Sequence, residues 1–334
     1  MKVLLIQMDG KMPNPALMKL SSLHGSRNDE VGLEIYDPKT KLKYNKVRMR
    51  FPNKIYVSCI FKNNLRKAQE IKKLYSVVGI ETQIGGPALW EPNYLPVEAE
   101  HLMPDYSLYP EMDYSLGYTQ RGCPNNCPFC IVPKIEGSFK EYAPISEFQN
   151  PDFSKLVLYD NNFLASKLWK EKLDYIESQG LKICFTQGLD ARLVTEEKAK
   201  ALKSCKSYYL SFKERTYYLA WDLMDASDAI LRGIQLLLDA GIKARDLTIY
   251  MLVGFNTTHQ EDLYRFTKLK ELRINPFVMI YNNRRDDQWL RDFARYVNKP
   301  QLYKSIALEN YKNGILREDY YEPSNVLEGR IHIE

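Results

Sequence analysis

The sequence predicts an α/β protein in two parts. A small parallel-sheet domain comes first. A run of six strand–helix repeats follows, forming a partial (β/α)6 barrel with a short helical tail. Three observations carry this reading. Short apolar runs alternate with amphipathic stretches along most of the chain, the pattern of parallel strands joined by helices. Trp90–Met112 is rich in proline, glutamate and tyrosine and has no periodicity, so it reads as a linker. Beyond it, the strand signals number six, too few to close an eight-stranded barrel. The predicted layout is residues 1–90, a linker over 91–114, the barrel over 115–285 and a tail over 286–334.

In the first part, Lys2–Gln7 (KVLLIQ) is a continuous apolar strand ending in the turn Met8-Asp9-Gly10. Pro15–Leu23 reads as a short helix, and Gly32–Tyr36 and Lys54–Phe61 (KIYVSCIF) as strands. Asn64–Val78 is an amphipathic helix, with Leu65, Ala68, Ile71, Leu74 and Tyr75 on one face. Ile80–Ile84 is a fourth strand, ending in Gly85-Gly86-Pro87. Ligands of parallel sheets bind at the carboxyl ends of the strands, so Asp9, Gly10, Gly85 and Gly86 form a candidate N-terminal ligand site. Tight turns explain the same glycines without a ligand. Between these elements, Lys39–Lys54 carries seven basic residues, Lys39, Lys41, Lys43, Lys46, Arg48, Arg50 and Lys54. Its alternation fits an exposed strand or hairpin, either tracking a phosphate backbone or guarding a sheet edge.

In the second part, strands are expected at Ser115–Gln120, Lys155–Tyr159, Lys182–Thr186, Ser207–Phe212, Leu247–Val253 and Phe277–Ile280. Helices are expected at Lys167–Gln179, Glu196–Lys203, Asp225–Ala240 and Gln260–Leu272. Gly180 and Gly241 stand where helices end in a left-handed residue. A helix over Trp289–Val297 should pack across the barrel.

Composition sets limits. A chain of 334 residues with 45% hydrophobic and 27% charged residues is an ordinary folded protein. No apolar run reaches the ~18–20 residues that span a bilayer. MKVLLIQMDG reads as a first strand rather than a secretion signal, because its apolar part is short and lacks a small-residue cleavage site. The expectation is a cytoplasmic protein with no membrane partner. A net charge of +5 permits a polyanionic partner without requiring one.

Three of the six cysteines fall in one window, Cys123-Pro-Asn-Asn-Cys127-Pro-Phe-Cys130. Clustered cysteines in a large, cytosolic-looking chain point to metal ligands rather than to a disulfide framework. Three thiolates on one tight loop can hold three corners of a cubane iron–sulfur cluster and leave one iron without a protein ligand. The prolines at 124 and 128 stiffen the loop. Cys59, Cys184 and Cys205 sit in apolar runs and read as small buried hydrophobes.

The C-x3-C-x2-C spacing resembles the cluster-binding loop of the radical S-adenosylmethionine superfamily. An aromatic residue stands before the last cysteine, a strand precedes the loop, and β/α repeats follow it. The resemblance is close over Ser115–Ile280 and looser over residues 1–110. Arg121-Gly122, just before the first cysteine, and the α/β unit upstream resemble the branch with an N-terminal cobalamin-binding-like, Rossmann-type domain. The resemblance implies a [4Fe-4S] cluster on Cys123, Cys127 and Cys130, with S-adenosylmethionine as cofactor. One electron would cleave the sulfonium, and the 5′-deoxyadenosyl radical would remove hydrogen from a substrate. The cofactor-binding residues it implies are Phe129 against the adenine, then strand-end positions: Asp160, Asn161 and Asn162; Gln187 and Arg192; Ser211; Leu252 and Gly254; and Tyr281. Helix caps and turns explain such residues as well. An electron donor such as flavodoxin or ferredoxin is implied. The substrate stays open among a small molecule, a nucleotide and a nucleic acid, and no residue is assigned to its chemistry.

Cobalamin is the open cofactor. Domains that bind it through histidine use Asp-x-His-x-x-Gly, and this chain reads Met8-Asp9-Gly10-Lys11-Met12. A cobalamin-dependent radical methyltransferase is the first alternative. The methylthiotransferase branch needs three cysteines in the first domain, which has Cys59 alone. Two rivals stand outside the superfamily. One is a zinc-containing nucleic-acid-binding protein with His101 or His259 as fourth ligand; the spacing argues against it, since zinc ribbons pair two C-x2-C units far apart. The other is an electron carrier, whose clusters take four cysteines.

Overall fold

The computed structural model describes residues 1–36, 43–45, 51–284 and 286–314. The side chains of Lys39–Arg50, Arg285 and the last twenty residues of the predicted tail, 315–334, lie outside the described residues. The chain divides into two compact units, Met1–Asn161 and Asn162–Glu334.

The first unit opens with a five-stranded sheet. Its strands are β1 (Lys2–Gln7), β2 (Glu30–Ile35), β3 (Lys43–Asn45), β4 (Lys54–Ser58) and β5 (Glu81–Gly85), in the order β3-β2-β1-β4-β5. β1 pairs in parallel with β2 and with β4, and β4 with β5. The predicted four-stranded sheet therefore gains a fifth strand, and β3 joins the edge antiparallel to β2. β1 is central and almost wholly buried because KVLLIQ is apolar on both faces. Helix α1 (Pro15–Ser26) starts where Asn14 accepts the amide of Leu17 and Pro15 presets the first turn. Helix α2 (Lys62–Val77) packs Leu65, Ala68, Ile71 and Tyr75 against the sheet core, while Leu74, read on the same face, is 68% exposed.

The stretch read as a linker is tied to this sheet. Its short helix α3 (Val97–Glu100) buries Ala99, and Lys19 Nζ donates to the Glu100 carbonyl. Ser21 Oγ donates to Asp105 at 2.7 Å, and Tyr109 Oη donates to Gln7 Oε1 at 2.7 Å. The predicted strand Ser115–Gln120 is broken into β6 (Ser115–Gly117) and β7 (Gln120–Arg121). β7 leads into the cysteine loop and helix α4 (Val132–Glu136), then pairs with β8 (Lys140–Glu141). β6 pairs in parallel with β9 (Lys155–Leu158).

The second unit holds helix α5 (Trp169–Ser178), β10 (Lys182–Phe185), helix α6 (Glu196–Cys205) and β11 (Tyr217–Ala220). Helix α7 (Ser227–Asp239), β12 (Leu247–Val253), helix α8 (His259–Glu271) and β13 (Asn275–Ile280) follow. β11, β12 and β13 form a parallel sheet; the parallel bridge Leu189–Leu219 links β11 to the turn after β10, and the parallel bridge Ile183–Ser207 joins β10 to the segment before β11. Gly180 and Gly241 end their helices with φ of +62° and +84°, as the sequence indicates. Helices α9 (Gln288–Val297) and α10 (Pro300–Ser305) close the described chain. α9 lies beside β13, where Asn298 exchanges two hydrogen bonds with the backbone of Val278.

One strand is misplaced in the sequence reading. Ser207–Phe212 is not a strand; the chain turns back on itself through an antiparallel bridge between Tyr208 and Arg215, and β11 begins five residues later. Two tyrosine-rich runs compete here, SYYLSF and TYYLAW. The first meets Lys213-Glu214-Arg215, and its last residue, Phe212, takes φ +56° in the turn.

Candidate functional site

The cysteine loop hangs between β7 and α4, and both of its ends are fastened. Asp160, just after β9, is 3% exposed. Its carboxylate accepts the Thr119 amide at 2.6 Å, the Thr119 hydroxyl and the Gln120 amide at 3.1 Å. These bonds pull the backbone out of the β6 line, which is why the predicted strand breaks there. At the other end, Glu136 Oε2 accepts the Gly122 amide at 2.9 Å and Asn161 Nδ2 at 2.9 Å, and lies 3.7 Å from Arg121 Nε. Gly122 itself has φ +70°, and a Cβ there would stand 2.5 Å from the Ser138 carbonyl. Only glycine fits that approach.

Arg121 is held over the Tyr118 ring at 4.2 Å and near the Tyr142 ring at 5.8 Å. Burial pushes the Tyr118 phenol above its ordinary range, with Arg121 opposing the shift. A fixed guanidinium thus precedes the first cysteine.

The six cysteines separate into two kinds. Cys59, Cys184 and Cys205 are buried, and burial pushes each thiol up to about 12, so they stay protonated and inert. Cys123, Cys127 and Cys130 are half-exposed on one loop, and none of the six is in a disulfide. The loop turns tightly, with the Cys130 amide donating to the Cys127 carbonyl at 2.9 Å. Among the described residues, no three His, Cys, Asp or Glu side chains are placed together to hold a metal ion. The donor chemistry fits an iron–sulfur cluster: three accessible thiols on a short loop anchored at both ends. Neither predicted zinc histidine stands idle. His101 faces Glu147 at 3.0 Å, and His259 faces Asp287 and stacks on Trp289 at 3.9 Å.

The residues assigned to the cofactor divide between the two units. In the first, Phe129 is half-buried on the loop, and Asp160 and Asn161 are committed to the loop's ends. In the second, Asn162 donates to Asp190 at 3.1 Å, and Asp190 takes Arg192 in a two-pronged pair at 2.8 and 2.7 Å. Gln187 is exposed in the turn after β10. Leu252 and Gly254 end β12; Gly254 has φ +76° and its carbonyl accepts Arg284 Nη1 at 3.1 Å. Tyr281 follows β13 and meets the Phe255 ring edge-on at 4.7 Å. Ser211 is separated from these strand ends, exposed in the turn that replaces the predicted strand.

The displaced strand hides a residue the sequence reading misses. Asp222 follows β11, accepts the Leu252 amide at 2.9 Å, and is pushed toward protonation by burial while Arg265 and Arg192 oppose the shift. Arg265 is equally unforeseen. It is wholly buried on α8 and donates to the carbonyls of Trp221 and Leu252 and to Asp262. It thereby locks the ends of β11 and β12 together. The capping box of Thr258 and Glu261 that starts α8 was a readable signal, but nothing in the spacing says that Arg265 points inward.

The predicted N-terminal ligand site is filled by the chain itself. Asp9 accepts the amides of Ile60 and Phe61 at 2.8 and 3.0 Å and Asn64 Nδ2 at 2.9 Å, so it serves as a cap near the start of α2. Gln7 Nε2 donates to the carbonyls of Asp9, Gly10 and Met12. The Gly86 amide donates to Asn93 at 2.7 Å, and a Cβ on Gly86 would stand 2.4 Å from the Cys59 carbonyl. These glycines make turns and close approaches within the fold.

No protein-family model and no curated protein matches the chain. Among solved structures, it is similar to OxsB, a cobalamin-dependent S-adenosylmethionine radical enzyme solved with aqua-cobalamin and S-adenosylmethionine bound. The identity is 13%, the TM-score 0.53, and the match covers 91% of this chain and 56% of that one. A second, apo structure of OxsB matches at TM-score 0.40 and 13% identity, over 84% of this chain and 49% of that one. The chain thus spans about half the length of OxsB, and the likeness is one of fold. No helix among the described residues is long and apolar enough to cross a membrane.

Proposed function

We propose that this chain is a radical S-adenosylmethionine enzyme whose [4Fe-4S] cluster is held by Cys123, Cys127 and Cys130. One observation carries the reading: the three half-exposed thiols stand on a loop anchored at both ends, by Asp160 and by Glu136, within an α/β fold like that of OxsB. When bound, the cluster would supply the electron that cleaves S-adenosylmethionine, giving a radical able to remove hydrogen from a substrate.

The chain's own residues do the rest. Asp160 and Glu136 fix the loop ends, so the three thiols need only be gathered within one anchored loop. Arg121, held over the Tyr118 ring, sets a fixed positive charge two residues ahead of Cys123. In the second unit, Arg192, Asp222, Leu252, Gly254 and Tyr281 are the strand-end groups that support a cofactor role, at the end of parallel strands where such sites form. The proposed layout keeps residues 115–285 as the catalytic barrel and 1–90 as a supporting domain. The proposed setting is cytoplasmic, with flavodoxin or ferredoxin as donor. Asp9 and Gly86, both committed within the chain, support a first domain without cobalamin.

Anaerobic reconstitution with iron and sulfide tests the reading. The expected product binds about four irons per chain, and Cys127→Ala fails to retain them. Zinc retained in place of iron, or iron binding indifferent to Cys127, would overturn it. Stoichiometric corrin absorbance in protein from cobalamin-fed cells would reverse the cobalamin reading.

A further inference from the structure

At the amino ends of β11–β13, opposite the strand ends described above, the second unit carries a cavity of about 740 Å³. Thr248 and Asn275, near the starts of β12 and β13, line it. Its rim holds four cations, Lys203, Arg215, Lys243 and Arg245, against two carboxylates, Glu214 and Asp246. Arg245 lies 3.8 Å from Asp246, and Lys203 donates to the Gly241 carbonyl. Arg215 and Lys243 make no salt bridge among the described residues, so the concave rim keeps net positive charge where an anion can reach it.

Aromatic rings line the cavity too, and a row of ring contacts joins two of them. Tyr209 meets Tyr218 edge-on at 5.6 Å, Tyr218 stacks on Tyr250 at 5.4 Å, and Tyr250 meets Phe277 edge-on at 5.5 Å. The two ends of this row, Tyr209 and Phe277, line the cavity. Phe277 is 41% exposed, a large apolar ring left open in a concave polar setting. Two hydroxyls also line the cavity, Tyr209 and Thr248, 3.4 Å apart, and the buried Thr216 lies 3.2 Å from Thr248.

We propose that this cavity binds a phosphorylated nucleoside. The planar base would lie on the exposed ring, the hydroxyls would take hydrogen bonds from sugar or base, and Arg215 and Lys243 would hold the phosphate. The volume falls within the ~300–1,000 Å³ of small-ligand sites. A purely apolar ligand would leave the cations unused, and a simple anion would leave Phe277 uncovered. The site needs neither the cysteines nor the cluster, so its test is independent of theirs.

The test is calorimetric titration of the full, cluster-free chain with AMP, adenosine and inorganic phosphate. AMP should bind at least about tenfold more tightly than either fragment and weaken as salt rises. The pair Arg215→Glu and Lys243→Glu, and separately Phe277→Ser, should each weaken AMP about tenfold or more with the melting temperature unchanged. Should the charge reversals unfold the chain, Arg215→Gln with Lys243→Gln carries the same test. A 5′-phosphorylated hexanucleotide separates the two sources of such a ligand: tighter binding than AMP assigns a strand end, and equal or weaker binding a free nucleotide. Absence of AMP binding at millimolar concentration, or AMP binding unchanged in the charge variants, would overturn the proposal.

Discussion

The Glu136 carboxylate accepts the Gly122 amide at 2.9 Å across the whole cysteine loop, fourteen residues apart in sequence. The same oxygen takes Asn161 Nδ2, so one side chain ties the loop's entry, its exit helix and the residue after β9. Replacing Glu136 with alanine should strand these donors and leave Arg121 without its carboxylate. The expected cost is about 1–3 kcal/mol of stability. Limited proteolysis should cut faster within 122–137, and iron retention after reconstitution should fall. Proteolysis and iron content equal to wild type would show that the clamp does not order the loop.

Asp160 sets the other end. Asp160→Asn keeps the shape but turns an acceptor of three bonds into a group whose amide faces other donors. Chemical denaturation should show a loss of about 1–3 kcal/mol. A change within ~0.5 kcal/mol, the range of an ordinary surface substitution, would mean the Thr119–Gln120 bend holds without it.

Gly233 packs α7 against the turn that carries Arg192. A Cβ there would stand 1.9 Å from the Ala191 carbonyl, so Gly233→Ala must move the helix or the turn. Backbone is the obstacle, and the expected loss is about 1–3 kcal/mol. A melting temperature at or above wild type would sink this packing account.

Asp262 gives a pH signature. Burial raises its pKa from 3.8 to about 6, with Arg265 opposing the shift. The folded state therefore binds more protons than the unfolded state between about pH 4 and 6. This contribution to stability is present below about pH 4 and lost as pH rises through about 6. Asp222 is shifted the same way by burial. Asp262→Asn removes the Asp262 share, so the variant should gain on wild type as pH rises from 4 to 6. Parallel stability–pH curves for the two proteins would contradict it. Arg265→Met, which leaves Asp262 buried without its partner, should cost about 3–5 kcal/mol.

Much of this was legible in the sequence. KVLLIQ marks a central strand because it is apolar on both faces, and Gly180 and Gly241 mark helix ends because the left-handed region favours glycine. The clustered cysteines stand apart from Cys59, Cys184 and Cys205 by their neighbours alone. What could not be read depends on distance. Asp9 and Asp160 read as ligand carboxylates at strand ends, and the amides and side chains that each accepts are brought close only by folding. Two similar tyrosine-rich runs compete for the strand after helix α6, and the chain's choice of the second leaves Ser211 in a turn and places Asp222 at the strand end. Arg265 sits among ordinary charged residues of an amphipathic helix, and only the packing of β11 and β12 turns it inward.

The central claim is radical generation at the cysteine loop. The most direct measurement is anaerobic turnover of the reconstituted chain with dithionite and S-adenosylmethionine, reading 5′-deoxyadenosine. The account predicts its release by wild type and its loss in Cys127→Ala. Release of S-adenosylhomocysteine besides would add methyl transfer. No 5′-deoxyadenosine from a fully iron-loaded wild type, or equal amounts from Cys127→Ala, would contradict the account.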